Sequence, residues 1–223
     1  MSASRPHVPN LREDSVLPSR VKEGGRAILA PVVRLAMALG LTPNSITVIG
    51  LGITVVAAVL VGTGWLLVGA ALLTAGSLLD AVDGALARAT GGATAFGSFL
   101  DSTLDRAGEA ILYVGIAAWL VASQPEPLWP VLALLVALSG SFLVSYAHAR
   151  AQGIGLAADV GLAPRTERLV IVIAGVALAG LGFVPGLLVA LVALAVLTTA
   201  TVIQRIWHVW RLSRTAALAK EEN

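Results

Sequence analysis

The sequence predicts an all-α membrane protein with six transmembrane helices, preceded by an N-terminal helix that lies at the membrane surface. Of the 223 residues, 57% are hydrophobic and only 13% are charged, whereas a soluble domain carries roughly a quarter charged residues. The chain also contains 23 glycines, and small residues let helices approach one another closely in lipid. We therefore expect a bundle of helices packed within a bilayer.

The composition also excludes several classes of function. The chain has no cysteine, so disulfide frameworks, zinc–thiolate sites and cysteine nucleophiles are ruled out. The formal net charge is only +2 and the basic residues are dispersed, so we expect no nucleic-acid partner. Residues 1–26 are polar and precede no short apolar run with a cleavage site. We interpret them as a polar tail, not as a removable signal peptide.

The predicted helices follow from the spacing of apolar residues and from the turns between them. A stretch from about Ala27 to Leu39 is too short to span, so we expect it at the interface. Its apolar residues form one stripe, made of Ile28, Val32, Leu35 and Leu39. A helix that spans a bilayer needs about 20 apolar residues, and the fifth of the later stretches barely meets this length. The predicted spans are 44–61, 65–89, 96–122, 128–151, 168–181 and 184–210, within a membrane domain of 27–212. A polar tail of residues 213–223 is expected to fray.

The distribution of basic residues predicts the orientation of these spans. All fifteen lysines and arginines lie toward the N-terminal tail, the 2–3 junction, the 4–5 junction or the C-terminal end, and none lies in the other three turns. Basic residues are enriched on the cytoplasmic side of membrane proteins. We therefore expect a multi-pass protein of the cell membrane with both termini in the cytoplasm.

Four aspartates occupy regular positions on the second and third predicted spans. Asp80 and Asp83 are three residues apart, and Asp101 and Asp105 are four apart, so each pair shares one helix face. A glycine-rich turn, residues 90–93, joins the two helices and makes them antiparallel. Both pairs are therefore expected to converge at one depth, near the cytoplasmic surface.

Four carboxylates in an apolar bundle cost several kcal/mol unless something neutralises them. Oxygen ligands without histidine or cysteine suit Mg²⁺, Mn²⁺ or Ca²⁺, and two such ions would nearly cancel the four charges. Gly84, Ala87 and Gly97 lie beside the carboxylates and leave a cleft, while Arg88 can hold a phosphate. Glu109 also lies on this face, but we expect it to pair with Arg106 and not to bind metal.

At these residues the sequence resembles the CDP-alcohol phosphotransferase family, whose signature is D-x2-D-G-x2-A-R-x8-G-x3-D-x3-D. Every fixed position is matched, by Asp80, Asp83, Gly84, Ala87, Arg88, Gly97, Asp101 and Asp105. The resemblance covers roughly residues 25–212 and implies a homodimer of six-helix protomers. It also implies a reaction in which an alcohol displaces CMP from a CDP-linked lipid, CDP-diacylglycerol.

The resemblance further implies a role for each residue of the motif. Asp80, Asp83 and Asp101 would hold Mg²⁺ or Mn²⁺, with two ions expected. Asp105 would be the general base and would also contact the second metal. The CDP moiety would be bound by Gly84, Ala87, Arg88 and Gly97, together with Thr42, Pro43 and Asn44. Thr42, Pro43 and Asn44 can also be interpreted simply as the start of a helix.

A second cluster lies around the 4–5 junction, where arginine suits bidentate binding of phosphate. The run Ser-Tyr-x-x-Ala-Arg-Ala, followed by Arg-Thr-Glu-Arg, resembles the actinobacterial phosphatidylinositol-phosphate synthases. By that resemblance the phosphate of the acceptor, inositol phosphate, would be bound by His148, Arg150, Arg165, Arg168 and Arg205. His148 departs from the pattern because lysine is usual there. The arginines can also be interpreted as the basic residues that commonly flank membrane spans on the cytoplasmic side.

Two alternative functions remain open on the sequence. Within the same chemistry, glycerol phosphate could be the acceptor, which would make the protein a phosphatidylglycerophosphate synthase. In a different class, a cation or proton transporter would use its intramembrane carboxylates as a permeation path. The acidic residues cluster at one face, however, and the outer parts of the spans, such as residues 55–60 and 187–194, carry no ionisable residue.

Overall fold

The structure is a computed structural model that describes residues 30–91 and 94–221, without the side chains of residues 89 and 216–221. All regular secondary structure in these residues is helical. The six helices are α1 (Pro43–Gly62), α2 (Leu66–Thr90), α3 (Ala95–Ser123), α4 (Leu128–Gly153), α5 (Arg165–Gly180) and α6 (Val184–Glu221). A further helical segment covers residues 30–38. The predicted N-terminal tail, residues 1–26, lies outside the described residues.

The helix lengths confirm the predicted class of an all-α integral membrane protein. Five of the described helices, α1 to α4 and α6, are long and apolar enough to cross a membrane by length and composition. α5 has 16 residues, and at 1.5 Å per residue it covers about 24 Å, against about 30 Å for the hydrocarbon core. The count of six spans therefore stays a prediction.

The predicted boundaries agree with the observed helices to within a few residues, except at the C-terminus. The hydroxyl of Thr42 accepts a hydrogen bond from the amide of Ser45 at 3.2 Å, with Pro43 in the first helical position. This is a standard helix start. The last span was predicted to end near Trp210 and the tail to fray from Ser213, whereas α6 continues as a helix to Glu221.

The helices form two groups of three. α1 packs on α2 and α3, while α6 packs on α4 and α5, and the groups meet where α2 packs on α5 and α3 on α4. All six helices contribute to one apolar core, which includes Val61, Leu73, Ile116, Leu134, Val176 and Leu191. Gly115 of α3 faces the main chain of Ala58 in α1, where a Cβ atom would collide. The glycine thus permits the close approach of these two helices.

The N-terminal helical segment covers the ends of α1 and α2. Its Val33 and Ala36 are buried against a small apolar cluster that includes Ile46, Val82 and Leu86. The predicted stripe lies on the other side, since Val32, Leu35 and Leu39 are exposed, and Ile28 is outside the described residues. This exposed apolar face fits a helix at the membrane surface. It also places the segment beside the α2 turn that carries Asp83.

Candidate active site

The four aspartates lie at one end of the bundle because of how α2 and α3 are joined. α2 carries Asp80 and Asp83 in its last turns, and Gly91 ends it in the left-handed conformation, with φ of 64°. α3 begins at the cap Thr94, whose hydroxyl accepts a hydrogen bond from the amide of Gly97 at 2.9 Å. The chain thus reverses direction, which brings Asp101 and Asp105 back to the level of the first pair.

A single guanidinium links the two aspartate pairs. Nη2 of Arg165, at the start of α5, lies 3.0 Å from Oδ2 of Asp80 and 2.6 Å from Oδ1 of Asp105. The sequence placed Arg165 in the acceptor site, so its contact with the aspartates of α2 and α3 was not foreseen. The contact brings one aspartate of each pair to a common point, which the start of α5 also reaches.

Asp83 is held by a residue that the sequence analysis missed. The hydroxyl of Thr47, on α1, donates a hydrogen bond to Oδ2 of Asp83 at 2.8 Å, and both residues are buried. Asp101 is half-buried one turn before Asp105. The only advance signal for Thr47 was its position one turn after Asn44 near the start of α1. Its partner is 36 positions away in sequence, which no local pattern predicts.

We expect Thr47→Val to weaken metal binding more than it weakens the fold. Removing a buried hydrogen bond to a charged group costs about 1.5–3 kcal/mol, and losing the outer partner of a metal ligand typically costs 10- to 100-fold in affinity. Mn²⁺ titration, followed by electron paramagnetic resonance of the purified protein, measures this loss. Thr54→Val on the same helix is the control, since among the described residues its hydroxyl donates only to the carbonyl of Gly50. Equal Mn²⁺ affinity in both variants would contradict a role for Thr47.

The donor set of the site fits divalent metal. Among the described residues the four carboxylates form ion pairs with one cation, Arg165, so a single positive charge faces four negative ones. Oxygen donors of this kind suit Mg²⁺ or Mn²⁺. No three acidic or histidine side chains in the described chain stand close enough to enclose an ion as they are arranged. In this arrangement Asp80 and Asp105 contact Arg165, and Asp83 contacts Thr47.

The residues predicted to bind the nucleotide lie in two places beside the aspartates. A Cβ atom at Gly97 would come within 3.1 Å of both Oδ1 of Asn44 and Oγ1 of Thr94. The starts of α1 and α3 therefore meet at Gly97, next to Thr42 and Pro43. On α2, the Cα atom of Gly84 faces the guanidinium of Arg88. Ala87 is half-buried and Arg88 exposed.

Arg168 is the most deeply buried of the predicted acceptor residues, with 2% of its surface exposed. Its Nη1 donates to the carbonyl of Ala163 at 3.0 Å, and its Nε and Nη2 donate to the two carboxylate oxygens of Glu109 at 3.5 Å each. Arg106 lies farther from Glu109, at 3.8 Å. The predicted pairing with Arg106 is thus present, but the main partner of Glu109 is Arg168.

The other predicted acceptor residues surround the loop between α4 and α5. Arg205 donates from Nε to the carbonyl of Val160 at 2.9 Å and from Nη1 to the carbonyl of Val144. His148 Nδ1 lies 3.5 Å from Oδ1 of Asp159, and Arg150 is exposed at the end of α4. Arg165 and Arg168 therefore contact acidic side chains of α2 and α3, whereas this second group contacts or borders the loop.

A cavity extends from the aspartates into the bundle, between α1, α2, α3 and α5. Polar residues at its wall include Asp80, Asp105, Glu109, Arg165 and Arg168, and the rest of its lining is mostly apolar, apart from a few side chains such as Thr54 and Tyr113. The apolar lining includes Leu73, Leu112 and Val172, while Gly50, Gly76 and Gly108 leave room on three helices. One end of the cavity thus offers carboxylates and arginines to a phosphate, and the other offers an apolar surface.

Comparison with known proteins supports a specific family. The family model for CDP-alcohol phosphatidyltransferase matches residues 40–216. The phosphatidylinositol phosphate synthase of Mycolicibacterium smegmatis is 40% identical over 156 residues, 70% of this chain and 70% of the relative. The protein of the same name from Corynebacterium glutamicum is 40% identical over 72% of this chain and 74% of its own.

Two crystal structures of a relative resemble the fold described above. The phosphatidylinositol phosphate synthase of Mycobacterium tuberculosis with CDP-DAG bound gives a TM-score of 0.76 at 37% identity, covering 82% of this chain and 94% of that one. The same enzyme in complex with manganese and citrate also gives 0.76 at 37% identity, covering 82% and 88%. The similarity therefore extends over most of both chains.

Proposed function

Because the chain belongs to the CDP-alcohol phosphatidyltransferase family, we propose that it transfers the phosphatidyl group of CDP-diacylglycerol to inositol phosphate and releases CMP. The observation that carries the proposal is the convergence of Asp80 and Asp105 on Arg165 at the mouth of a cavity with an apolar interior. Such a cavity matches a substrate that joins a charged diphosphate to a lipid.

In the proposed mechanism Asp80, Asp83 and Asp101 would hold Mg²⁺ or Mn²⁺, with two ions expected. Bound metal supplies neutralisation of charge on the diphosphate. Asp105 takes the proton from the acceptor's hydroxyl as its oxygen forms a bond to the lipid-side phosphorus. The bond from that phosphorus to the oxygen of CMP breaks, and CMP leaves with the bonding electrons. Arg165, which contacts Asp105 at 2.6 Å, holds that carboxylate in place.

The nucleotide would be bound where α1, α2 and α3 meet. The start of α1, with Thr42, Pro43 and Asn44, lies against Gly97. The narrow gap at Gly97 supports the proposal that these residues share one binding surface. The second part of the surface would comprise Gly84, Ala87 and Arg88, in the last turns of α2. The exposed guanidinium of Arg88 is free to approach a phosphate, as arginine commonly does.

The phosphate of the acceptor would be bound by Arg165 and Arg168, with His148, Arg150 and Arg205 at the neighbouring loop. Inositol phosphate is favoured because the relatives are phosphatidylinositol phosphate synthases, and a further relative, from Pyrococcus horikoshii, is an archaetidylinositol phosphate synthase. His148 stands where lysine is usual, which leaves fewer positive charges near the loop. Glycerol phosphate is therefore the alternative acceptor that an experiment must compare.

A panel of acceptors tests this proposal. Purified protein is supplied with CDP-diacylglycerol, Mg²⁺ or Mn²⁺, and inositol phosphate, glycerol phosphate or inositol, and CMP release is measured. We expect CMP release with inositol phosphate and little with the other two. CMP release with glycerol phosphate alone would show that glycerol phosphate, and not inositol phosphate, is the acceptor. Ion flux in liposomes that contain no nucleotide lipid, without any CMP release, would favour the transporter.

We expect Arg168→Ala to raise the KM for inositol phosphate about 10- to 100-fold, the effect of losing a charged hydrogen bond of about 1.5–3 kcal/mol. The KM for CDP-diacylglycerol should change by less than about threefold, because Arg168 makes no contact with that substrate in the proposed site. Arg34→Ala is the control, because that arginine is exposed on the N-terminal segment. An equal rise in both KM values would place Arg168 outside the acceptor site.

The orientation and assembly also belong to the proposal. The basic residues near the two ends of the chain and at the 2–3 and 4–5 junctions support a cytoplasmic location for both termini and the active site at the cell membrane. The family resemblance favours a homodimer. Labelling of single cysteines introduced at Ser123 and at Ser213 from either side of sealed vesicles tests the orientation, and mass measurement in detergent tests the dimer.

A further inference from the structure

Glu109 is an acidic residue in the cavity to which the family motif and the proposed mechanism give no role. It lies on α3 one turn after Asp105, and it faces the cavity together with Arg168. We propose that Glu109 is a positioning residue, which holds the guanidinium of Arg168 against the cavity wall in the orientation that binds the acceptor's phosphate. This inference rests on the proposed function, since it concerns the acceptor of that reaction.

The first support is the pairing of both carboxylate oxygens with one guanidinium. Nε and Nη2 of Arg168 donate to Oε1 and Oε2 of Glu109 at 3.5 Å each, and Nη1 donates to the carbonyl of Ala163 at 3.0 Å. These contacts fix the plane of the guanidinium from two sides. An arginine has five N–H donors, so two donors remain for a phosphate once these three contacts are made.

The second support is the geometry of the acid–arginine pairs between α3 and α5. Asp105 and Glu109 are one turn apart on α3, and Arg165 and Arg168 are one turn apart on α5. Asp105 contacts Arg165, and Glu109 contacts Arg168. Among the described helices, α3 and α5 do not pack closely on each other. The two ion pairs, and not apolar packing, therefore connect these helices across the cavity.

The third support is the local balance of charge. Glu109 lies between Arg168 and Arg106, which is 3.8 Å from Oε2, so one negative charge faces two positive ones. Nη1 of Arg106 is buried and has no hydrogen-bond partner among the described residues. Arg106 is not among the described residues that line the cavity. It nevertheless leaves the group of Glu109, Arg106 and Arg168 with one net positive charge, which favours an anion at the cavity face of Arg168.

The test is Glu109→Gln, which keeps the shape of the side chain and removes its charge. We expect the KM for inositol phosphate to rise roughly tenfold, as the loss of one charge-assisted hydrogen bond predicts. The turnover number, the KM for CDP-diacylglycerol and the Mn²⁺ affinity should stay within about twofold, since none of them depends on that bond. Glu167→Gln is the matched control, because Glu167 is exposed on α5 beside Arg168.

Two results would overturn the inference while the wild-type protein still releases CMP. One is an unchanged acceptor KM in Glu109→Gln, and the other is an equal rise in the KM values of donor and acceptor. In the Arg168→Ala background, Glu109→Gln should add nothing to the acceptor KM, because the guanidinium to be positioned is gone. Additive effects would also reject the role.

A variant that keeps the charge covers the case in which Glu109→Gln does not fold. Glu109→Asp retains the carboxylate but shortens its reach by one methylene, so we expect a smaller rise in the acceptor KM and an unchanged turnover number. A fall in turnover without any change in that KM would contradict the inference. Absence of CMP release from the wild-type protein with every acceptor would instead reject the proposed function itself.

Discussion

Replacement of Asp105 by asparagine should lower the turnover number by about 10²- to 10⁴-fold, the usual contribution of a positioned general base. The carboxylate is expected to take the proton of the acceptor's hydroxyl, which an amide does not do at neutral pH. The fold should persist, because asparagine still offers an oxygen to Arg165 and removes one of four clustered negative charges. CMP release and thermal unfolding of the purified variant measure the two effects.

Glu126→Gln provides the control for this substitution, since it makes the same chemical change in an exposed turn between α3 and α4. Metal binding separates the role of a base from that of a ligand. The Asp105→Asn protein should still bind at least one Mn²⁺ with the affinity of the wild type, whereas Asp80→Asn should not. Full activity in Asp105→Asn would reject its assignment as the base.

Removal of divalent metal should reduce CMP release to below about 1% of the starting rate, because a metal ion contributes several kcal/mol of charge stabilisation and each 1.36 kcal/mol is a factor of ten. The uncompensated charge of the four aspartates is the structural reason for this expectation. Dialysis against EDTA, followed by addition of Mg²⁺ or Mn²⁺, should abolish and then restore the reaction. The recovered rate at each metal concentration gives the affinity of the site.

Substitution of a single ligand extends the same test. Asp83 is 7% exposed and accepts the hydrogen bond from Thr47, so Asp83→Asn should shift the Mn²⁺ titration to concentrations about 100-fold higher, at the upper end of effects seen for metal-site substitutions. Ser102→Ala, next to Asp101 in the sequence, is the control, because in the part of the chain that the structure describes its hydroxyl donates only to the carbonyl of Phe99. A reaction that continues undiminished in EDTA would contradict the metal-dependent mechanism.

The sequence by itself determined the class of protein and most of the helix positions, and it predicted the chemistry of the site. Apolar stretches long enough to span a bilayer favour helices, because in lipid a helix satisfies its backbone groups within the segment. Spacings of three and four residues place Asp80 with Asp83, and Asp101 with Asp105, on single helix faces. These features are local, because each depends on residues of one helix or of the loop next to it.

The tertiary structure alone decided which residues meet across helices. Thr47 contacts Asp83 from 36 positions away, Arg165 contacts Asp80 from 85, and Arg168 contacts Glu109 from 59. Each contact depends on the rotation of one packed helix about its axis relative to another. Helical periodicity fixes which residues share a face but not which face of a distant helix they will oppose, because that choice is made by the packing of all six helices together.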